Sequence, residues 1–224
     1  PPLPSVIQAI TDAASTMHRY PNMAAPELTA ALATRLGVKE SELAFGTGSV
    51  EVAGQLIRAF AGHGDEVIYA WRSFEAYPIL VRGAGATPVE VPLTADHRHD
   101  LPAMIAAITP ATKVIFICTP NNPTGTAVGH EELRAFLAQV PPHILVVIDE
   151  AYVHFQSDPD AARGLELYRE FPNVAVLHTF SKAYGLASLR VGYAVSSPAI
   201  ADVLNRVRQP FNVNSLALAA ACAA

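Results

Sequence analysis

Cysteine is scarce in this sequence: Cys118 and Cys222 are the only two in 224 residues, too few for a disulfide-stabilised fold. Positive charge is not in surplus either, since 15 Lys and Arg stand against 20 Asp and Glu, so we expect no nucleic-acid partner. The sequence also lacks an apolar run of roughly 18 residues, which a membrane-spanning helix needs, so we expect no membrane partner. These absences favour a protein of the reducing cytoplasm.

Internal repeats, low-complexity tracts and flexible linkers are missing as well. With 51% hydrophobic and 16% charged residues, the chain has the composition of a folded protein rather than a disordered one. We assign residues 1–224 to one domain. Because the chain begins with Pro1 instead of Met and ends in an apolar run over 216–224, we expect it to be a domain from a longer protein.

Helical and strand patterns alternate along the chain. Apolar spacing and capping residues predict helices over 5–19, 26–35, 49–61, 74–81, 101–108 and 131–140. Strands are predicted over 43–45, 66–70, 88–91, 113–118, 144–148, 173–177 and 191–195. Several of these strands are continuous apolar runs, which are typical of a parallel sheet covered on both faces. The alternation predicts an α/β fold with a mostly parallel sheet and helices on both faces.

Polar clusters follow four of the predicted strands, at 46–49, 119–125, 149–152 and 178–182. In open α/β sheets, ligands bind outside the carboxyl ends of the strands. We therefore expect the four clusters to converge on one crevice.

Each cluster has a functional and a purely structural interpretation. Lys182 is either a surface lysine or an amine that binds an aldehyde, and Asp149 is either a strand-end cap or the partner of a protonated pyridine nitrogen. Asn122 and Tyr152 are either turn and packing residues or donors to a phenolate oxygen. The glycine turn at 46–49 either only connects two elements or presents backbone N–H groups to a phosphate.

Two other kinds of site receive less support. The segment 96–100, Asp-His-Arg-His-Asp, offers metal-ligating side chains, but no distant ligand completes a tetrahedral site, so we predict a polar loop and no metal. The turn at 46–49 lacks the third glycine of a nicotinamide-binding fingerprint, which disfavours a dinucleotide fold.

Four motifs, at 71–78, 119–125, 149–152 and 179–185, together resemble the fold-type I, pyridoxal phosphate-dependent aminotransferases. The resemblance covers nearly the whole chain and is closest to the histidinol-phosphate aminotransferase group, in particular to actinobacterial aromatic aminotransferases. It implies a three-layer fold with a mostly parallel seven-stranded sheet. It also implies that residues 1–224 are the cofactor-binding large domain, with an N-terminal segment at its start and the C-terminal small domain outside this chain.

The resemblance assigns roles to individual residues. It implies that Lys182 binds the cofactor covalently and moves a proton, that Asp149 faces the pyridine nitrogen, and that Asn122 and Tyr152 bind the ring oxygen. Phe74 matches the aromatic residue that stacks on the ring. The implied phosphate ligands are Gly48, Ser49, Val50, Thr179, Ser181 and Arg190.

The resemblance has two further implications. Tyr20 matches a tyrosine that reaches the phosphate of a neighbouring subunit, which implies a homodimer. The Asn122–Pro123 peptide bond is expected to be cis.

The implied reaction transfers the amino group of an aromatic L-amino acid to 2-oxoglutarate. Trp71, Phe74 and Tyr77 favour an aromatic substrate, whereas Arg206 and Arg208 would suit the phosphate of histidinol phosphate, the main alternative. A decarboxylase of the same fold and an inactive relative also remain as hypotheses.

Overall fold

The computed structural model describes all 224 residues. Its helices are α1 (Pro4–Ala14), α2 (Pro26–Leu36), α3 (Ser49–Phe60), α4 (Ala76–Gly83), α5 (Leu101–Ala106), α6 (His130–Leu137), α7 (Gly164–Glu170), α8 (Pro198–Val207) and α9 (Ser215–Ala223). Its strands are β1 (Leu43–Gly46), β2 (Glu66–Trp71), β3 (Thr87–Pro92), β4 (Thr112–Cys118), β5 (Leu145–Asp149), β6 (Val174–Thr179) and β7 (Gly192–Ser196). No helix combines the length and the apolar character that crossing a membrane requires.

The strands form one seven-stranded sheet in the order β1-β7-β6-β5-β4-β2-β3. Strand β7 pairs antiparallel with β1 and with β6, and all other pairings are parallel. This arrangement confirms the predicted α/β fold with a mostly parallel sheet.

The sheet separates two layers of helices. Along β5, Val146 and Ile148 pack into one hydrophobic cluster, whereas Leu145 and Val147 pack into the other, as the alternation of a strand requires. The first cluster includes residues of α1, α2, α5, α6, α7 and α9, and the second includes residues of α3, α4 and α8. The fold therefore has three layers, with helices on both faces.

Strand positions agree with the sequence patterns to within one or two residues, but some helix ends differ. The helix predicted over 5–19 ends at Ala14, because the hydroxyls of Ser15 and Thr16 turn back onto the carbonyls of Asp12 and Ala13. The helix predicted over 101–108 ends at Ala106, where a tighter i→i+3 turn finishes it.

The helix predicted from residue 74 begins at Ala76 and extends to Gly83. A turn precedes it, in which the Tyr77 amide donates to the Phe74 carbonyl at 3.1 Å. Phe74 therefore lies in the loop that follows β2, at the carboxyl end of the sheet.

Candidate functional site

A cavity of about 250 Å³ lies at the carboxyl ends of the central strands. Its lining comes from all four polar clusters, which confirms the predicted convergence. The lining residues are Ser49, Val50, Phe74, Cys118, Asn122, Asp149, Ala151, Tyr152, Thr179, Ser181, Lys182, Ala187 and Arg190. All of the predicted site residues are among them except Gly48 and Tyr20.

Asp149 is the last residue of β5, and its carboxylate is buried at the inner end of the cavity. Tyr77 donates its hydroxyl to Oδ2 at 2.8 Å, and the backbone N–H of Ala151 donates to Oδ1 at 3.1 Å. Burial raises the pKa of the carboxyl group, and these two hydrogen bonds oppose that rise. The carboxylate is thus held by neutral donors and has no salt-bridge partner.

Two neighbours of Asp149 have weakly acidic side chains. Tyr77 is buried, and burial raises the pKa of its phenol well above the usual value. Burial also raises the pKa of the Cys118 thiol to about 12, so this thiol lines the cavity in its neutral form. The sequence placed Tyr77 near the site only as apolar surface, and it gave no indication of the hydrogen bond to Asp149.

Lys182 lies in the loop that follows β6, with an exposed side chain at the cavity wall. Its Nζ is 5.0 Å from the centre of the Tyr152 ring, a cation–π contact that holds the amine over this ring. Asn122 lines the same cavity from the loop after β4, and the Asn122–Pro123 peptide bond is cis, as expected.

One end of the cavity is rich in hydrogen-bond donors. Ser49 is the first residue of α3, where backbone N–H groups have no partner within the helix. The hydroxyls of Thr179 and Ser181 are 3.0 Å apart, and Arg190 Nη1 donates to the Ser181 hydroxyl at 3.2 Å. A helix N-terminus, two hydroxyls and a guanidinium are the groups that bind a phosphate.

The Arg190 guanidinium is held in place from two sides. Nη1 donates to the Ala187 carbonyl at 2.8 Å, and Nη2 donates to the Thr47 carbonyl at 3.4 Å. Gly48 has a φ of +82°, and a Cβ at this position would collide with the guanidinium. Gly48 therefore contributes by leaving room for Arg190 rather than by lining the cavity.

Tyr20 does not reach the cavity of its own chain. It is 82% exposed, and its ring packs on Phe211 with the centroids 4.6 Å apart. Its predicted contact with a neighbouring subunit stays a prediction.

The segment 96–100 lies between β3 and α5. Asp100 caps α5 by accepting a hydrogen bond from the Ala103 amide at 2.9 Å, and His99 is buried beneath the loop. Asp96 instead accepts from the Thr94 hydroxyl at 2.6 Å. The segment is therefore a loop, as predicted, and its two aspartates form hydrogen bonds with neighbouring residues.

Comparisons with known proteins agree with this geometry. The chain is 57% identical over 222 residues to an aromatic amino acid aminotransferase of Cutibacterium acnes, covering 99% of this chain and 63% of that protein. It is 56% identical over 223 residues to the aromatic amino acid aminotransferase of Streptomyces coelicolor, covering 100% of this chain and 62% of that protein. The chain thus spans somewhat less than two thirds of the length of these curated relatives.

A solved structure with a similar fold is that of histidinol-phosphate aminotransferase from Sinorhizobium meliloti in complex with pyridoxal-5'-phosphate. The TM-score is 0.94 and the identity 34%, over 99% of this chain and 60% of that one. The family described as aminotransferase class I and II matches residues 1–224, which is the whole chain. This chain is therefore a member of the class I and II aminotransferase family.

Proposed function

We propose that the protein is a pyridoxal phosphate-dependent aminotransferase that transfers the amino group of an aromatic L-amino acid to 2-oxoglutarate. One observation carries the proposal: a single cavity brings together a primary amine, a buried carboxylate and an anion-binding end. These groups are Lys182, Asp149 and the surroundings of Arg190. The curated relatives described above carry the name of this activity.

The residues of the cavity fit pyridoxal phosphate. Asp149 is buried and held by neutral donors only, so a protonated pyridine nitrogen would supply the missing positive charge. At the other end, the missing side chain of Gly48 leaves Arg190 free to lie beside Ser181, where it can bind a dianion. The donors at one end and the carboxylate in the same cavity support the proposal that a phosphate and a pyridinium bind there.

Each cavity residue would have a separate role in this reaction. Bound pyridoxal phosphate supplies an electron sink for the charge that develops at the substrate α-carbon. Lys182 would bind the cofactor aldehyde through Nζ, and once the substrate amine has displaced it from the aldehyde carbon, the freed Nζ would take the proton from the substrate α-carbon. Asp149 would keep the proton on the ring nitrogen, while Tyr77 holds the carboxylate in place. Asn122 and Tyr152 would donate to the ring oxygen.

The other cavity residues hold and orient the cofactor. Phe74 lines the cavity and would pack against one face of the ring. The phosphate would be held by groups at the donor-rich end of the cavity, namely Ser49, Val50, Thr179, Ser181 and Arg190. Charge-assisted hydrogen bonds of this kind are stronger than neutral ones, so the phosphate contributes much of the affinity.

The proposal of an aromatic substrate is supported mainly by the names of the curated relatives. Of the three aromatic residues that favoured it in the sequence, Phe74 lines the cavity, but Trp71 does not, and Tyr77 binds Asp149. Histidinol phosphate gains no support from the two arginines that suited it, because neither Arg206 nor Arg208 lines the cavity. Arg206 instead pairs with Asp202 at 2.8 Å.

We also propose a homodimer with shared sites. Four apolar side chains are exposed, and burial of such side chains stabilises a protein interface; they are Met17, Tyr20, Met23 and Phe211.

We propose a cytoplasmic location as well, because two free cysteines suit a reducing compartment. In this proposal, residues 1–224 are the cofactor-binding large domain, and the small domain lies outside this chain.

A donor comparison tests the proposed function. The full-length protein, including the small domain, is offered phenylalanine, tyrosine or histidinol phosphate with 2-oxoglutarate, and glutamate formation is measured as kcat/KM. We expect phenylalanine to exceed histidinol phosphate by at least tenfold, which is about 1.4 kcal/mol of transition-state binding. The reverse preference would contradict the aromatic substrate alone. If none of the three donors yields glutamate, the proposed aminotransferase activity is itself contradicted.

A further inference from the structure

A buried polar cluster lies beside the cofactor cavity and has no role in the chemistry described above. It consists of Ser73, His99 and Asn121, which are only 1%, 4% and 3% exposed. None of the three lines the cavity. Buried polar side chains are costly unless they are hydrogen-bonded, so such a cluster needs a structural or functional reason.

Asn121 is the centre of the cluster, and its amide uses its full hydrogen-bonding capacity. Oδ1 accepts from the Ser73 hydroxyl at 2.7 Å and lies 3.2 Å from His99 Nε2. Nδ2 donates to the Arg72 carbonyl at 3.1 Å and to the Thr124 hydroxyl at 2.9 Å. An asparagine side chain can accept two hydrogen bonds and donate two, so none is left unused.

The partners fix the orientation of the amide. The Arg72 carbonyl can only accept, so Nδ2 must face it, and Oδ1 must then face His99. His99 therefore donates from Nε2. Burial lowers the pKa of His99, which keeps the imidazole neutral in this role.

The cluster joins three loops that follow three neighbouring strands. Ser73 follows β2, His99 follows β3 and Asn121 follows β4, and these strands are adjacent in the sheet. The next residues along two of these loops are Phe74 and Asn122, which both line the cavity. The hydrogen bond between Ser73 and Asn121 therefore fixes the loop of the ring-stacking residue to the loop of the ring-oxygen ligand.

We propose that Asn121 is a positioning residue, which holds Phe74 and Asn122 in the relative placement that the cofactor ring requires. The proposal rests on the proposed function, because the ring is the group that the two side chains would contact. Asn121 acts through its neighbours and touches neither cofactor nor substrate. Without its amide, the Ser73 hydroxyl, His99 Nε2 and the Arg72 carbonyl lose a partner, and the loops lose their shared anchor.

The test compares Asn121→Ala with a matched control, Asn173→Ala. Asn173 also joins two segments, through a 2.8 Å hydrogen bond from Nδ2 to the Ile144 carbonyl, but it lies at the opposite end of the sheet. Ser73→Ala is a milder second variant, because it removes one hydrogen bond and leaves the amide in place.

Three quantities are measured for each purified variant. They are the dissociation constant for pyridoxal phosphate, the visible circular dichroism per bound cofactor, and the melting temperature of the cofactor-free protein. The dichroism reports how the ring is oriented, which a loss of global stability alone would not change.

We expect Asn121→Ala to weaken cofactor binding at least tenfold and to reduce the dichroism per bound cofactor. Ser73→Ala is expected to change both in the same direction by less, and Asn173→Ala to lower only the melting temperature. If Asn121→Ala does not fold, the results for Ser73→Ala alone decide whether the cluster positions the two loops. Unchanged affinity and dichroism in the folded variants, or equal changes in Asn173→Ala, would overturn the positioning role. If the wild-type protein binds no pyridoxal phosphate, the proposed function fails, and this role fails with it.

Discussion

The phenol of Tyr77 and the carboxylate of Asp149 form a buried hydrogen bond of 2.8 Å between residues 72 positions apart in the sequence. It joins helix α4 to the carboxyl end of strand β5. Because both groups are buried, with Asp149 only 4% and Tyr77 1% exposed, the hydrogen bond strongly influences how readily Asp149 carries its charge.

Tyr77→Phe removes the donor and keeps the ring. Burial already raises the pKa of Asp149, and the Tyr77 hydrogen bond lowers it, so its loss raises the pKa further. A hydrogen bond to a charged group contributes about 1.5–3 kcal/mol, which corresponds to a rise of about one to two pH units. Cofactor binding, which needs ionised Asp149, is then lost at a higher pH than in the wild type.

The measurement is the pH dependence of the dissociation constant for pyridoxal phosphate. Tyr69→Phe is the matched control, because Tyr69 is also buried but donates to Glu90, at 3.1 Å. Superimposable profiles for Tyr77→Phe and Tyr69→Phe would show that the hydrogen bond does not govern the Asp149 charge.

Asp149→Asn keeps the shape of the side chain and removes its charge. The proton on the ring nitrogen is then no longer held, and we expect kcat to fall on the order of 10² or more, equivalent to roughly 3 kcal/mol. Steady-state kinetics of the full-length protein with phenylalanine and 2-oxoglutarate measure this loss. Turnover close to the wild-type rate would show that Asp149 is only a strand-end cap.

The same variant has a predicted effect on the cofactor-free protein. The folded-state pKa of Asp149 is raised above its usual 3.8, so its contribution to stability is greatest at low pH and declines as pH rises through the raised value. Asp149→Asn abolishes that decline. Urea unfolding at acidic and neutral pH measures it, and an unaltered pH dependence would contradict the burial argument.

Gly48→Ala should damage the phosphate end of the cavity. The added methyl group meets the Arg190 guanidinium, and the residue also has a φ of +82°. Gly37→Ala is the control, since Gly37 has a φ of +62° but no atom near the position of a Cβ. Both variants pay about 1 kcal/mol or more of backbone strain in unfolding experiments. Only Gly48→Ala is expected to lose cofactor affinity, and equal affinities for the two would contradict the role of Gly48.

The shared-site homodimer is tested by mixing two variants. Tyr20→Ala leaves each site without the partner's tyrosine, and Lys182→Ala leaves each site without its amine. When the two variants are co-expressed, a mixed dimer has one site with both residues intact. We expect activity to reappear in the purified mixed dimer, whereas a mixture that stays inactive would contradict the placement of Tyr20.

The parts of the fold that the sequence predicted are those set by local pattern. Continuous apolar runs identified β4, β5 and β6, because strands buried on both faces need apolar residues at every position. Polar residues directly after those runs identified the cavity, because parallel strands bring their carboxyl ends to the same edge. The predicted end of α1 at residue 19 was wrong. The apolar spacing continues to Met17, but local hydroxyl hydrogen bonds end the helix at Ala14.

The parts that the sequence missed depend on contacts between distant segments. The Tyr77–Asp149 hydrogen bond and the Ser73–Asn121 hydrogen bond each join residues that only the folded sheet brings together. Nothing in the local sequence marks Tyr77 as a donor rather than as core. Similarly, the aromatic residues of 71–78 share a motif, yet only Phe74 lines the cavity.

The most direct test of the central claim identifies the lysine that carries the cofactor. The chain contains three lysines, Lys39, Lys113 and Lys182, and only Lys182 lines the cavity. The protein is incubated with pyridoxal phosphate, reduced with borohydride, digested and analysed by mass spectrometry. We expect the phosphopyridoxyl group to be on Lys182, and we expect Lys182→Ala to carry none. A stoichiometric adduct on Lys39 or Lys113, with Lys182 unmodified, would contradict it.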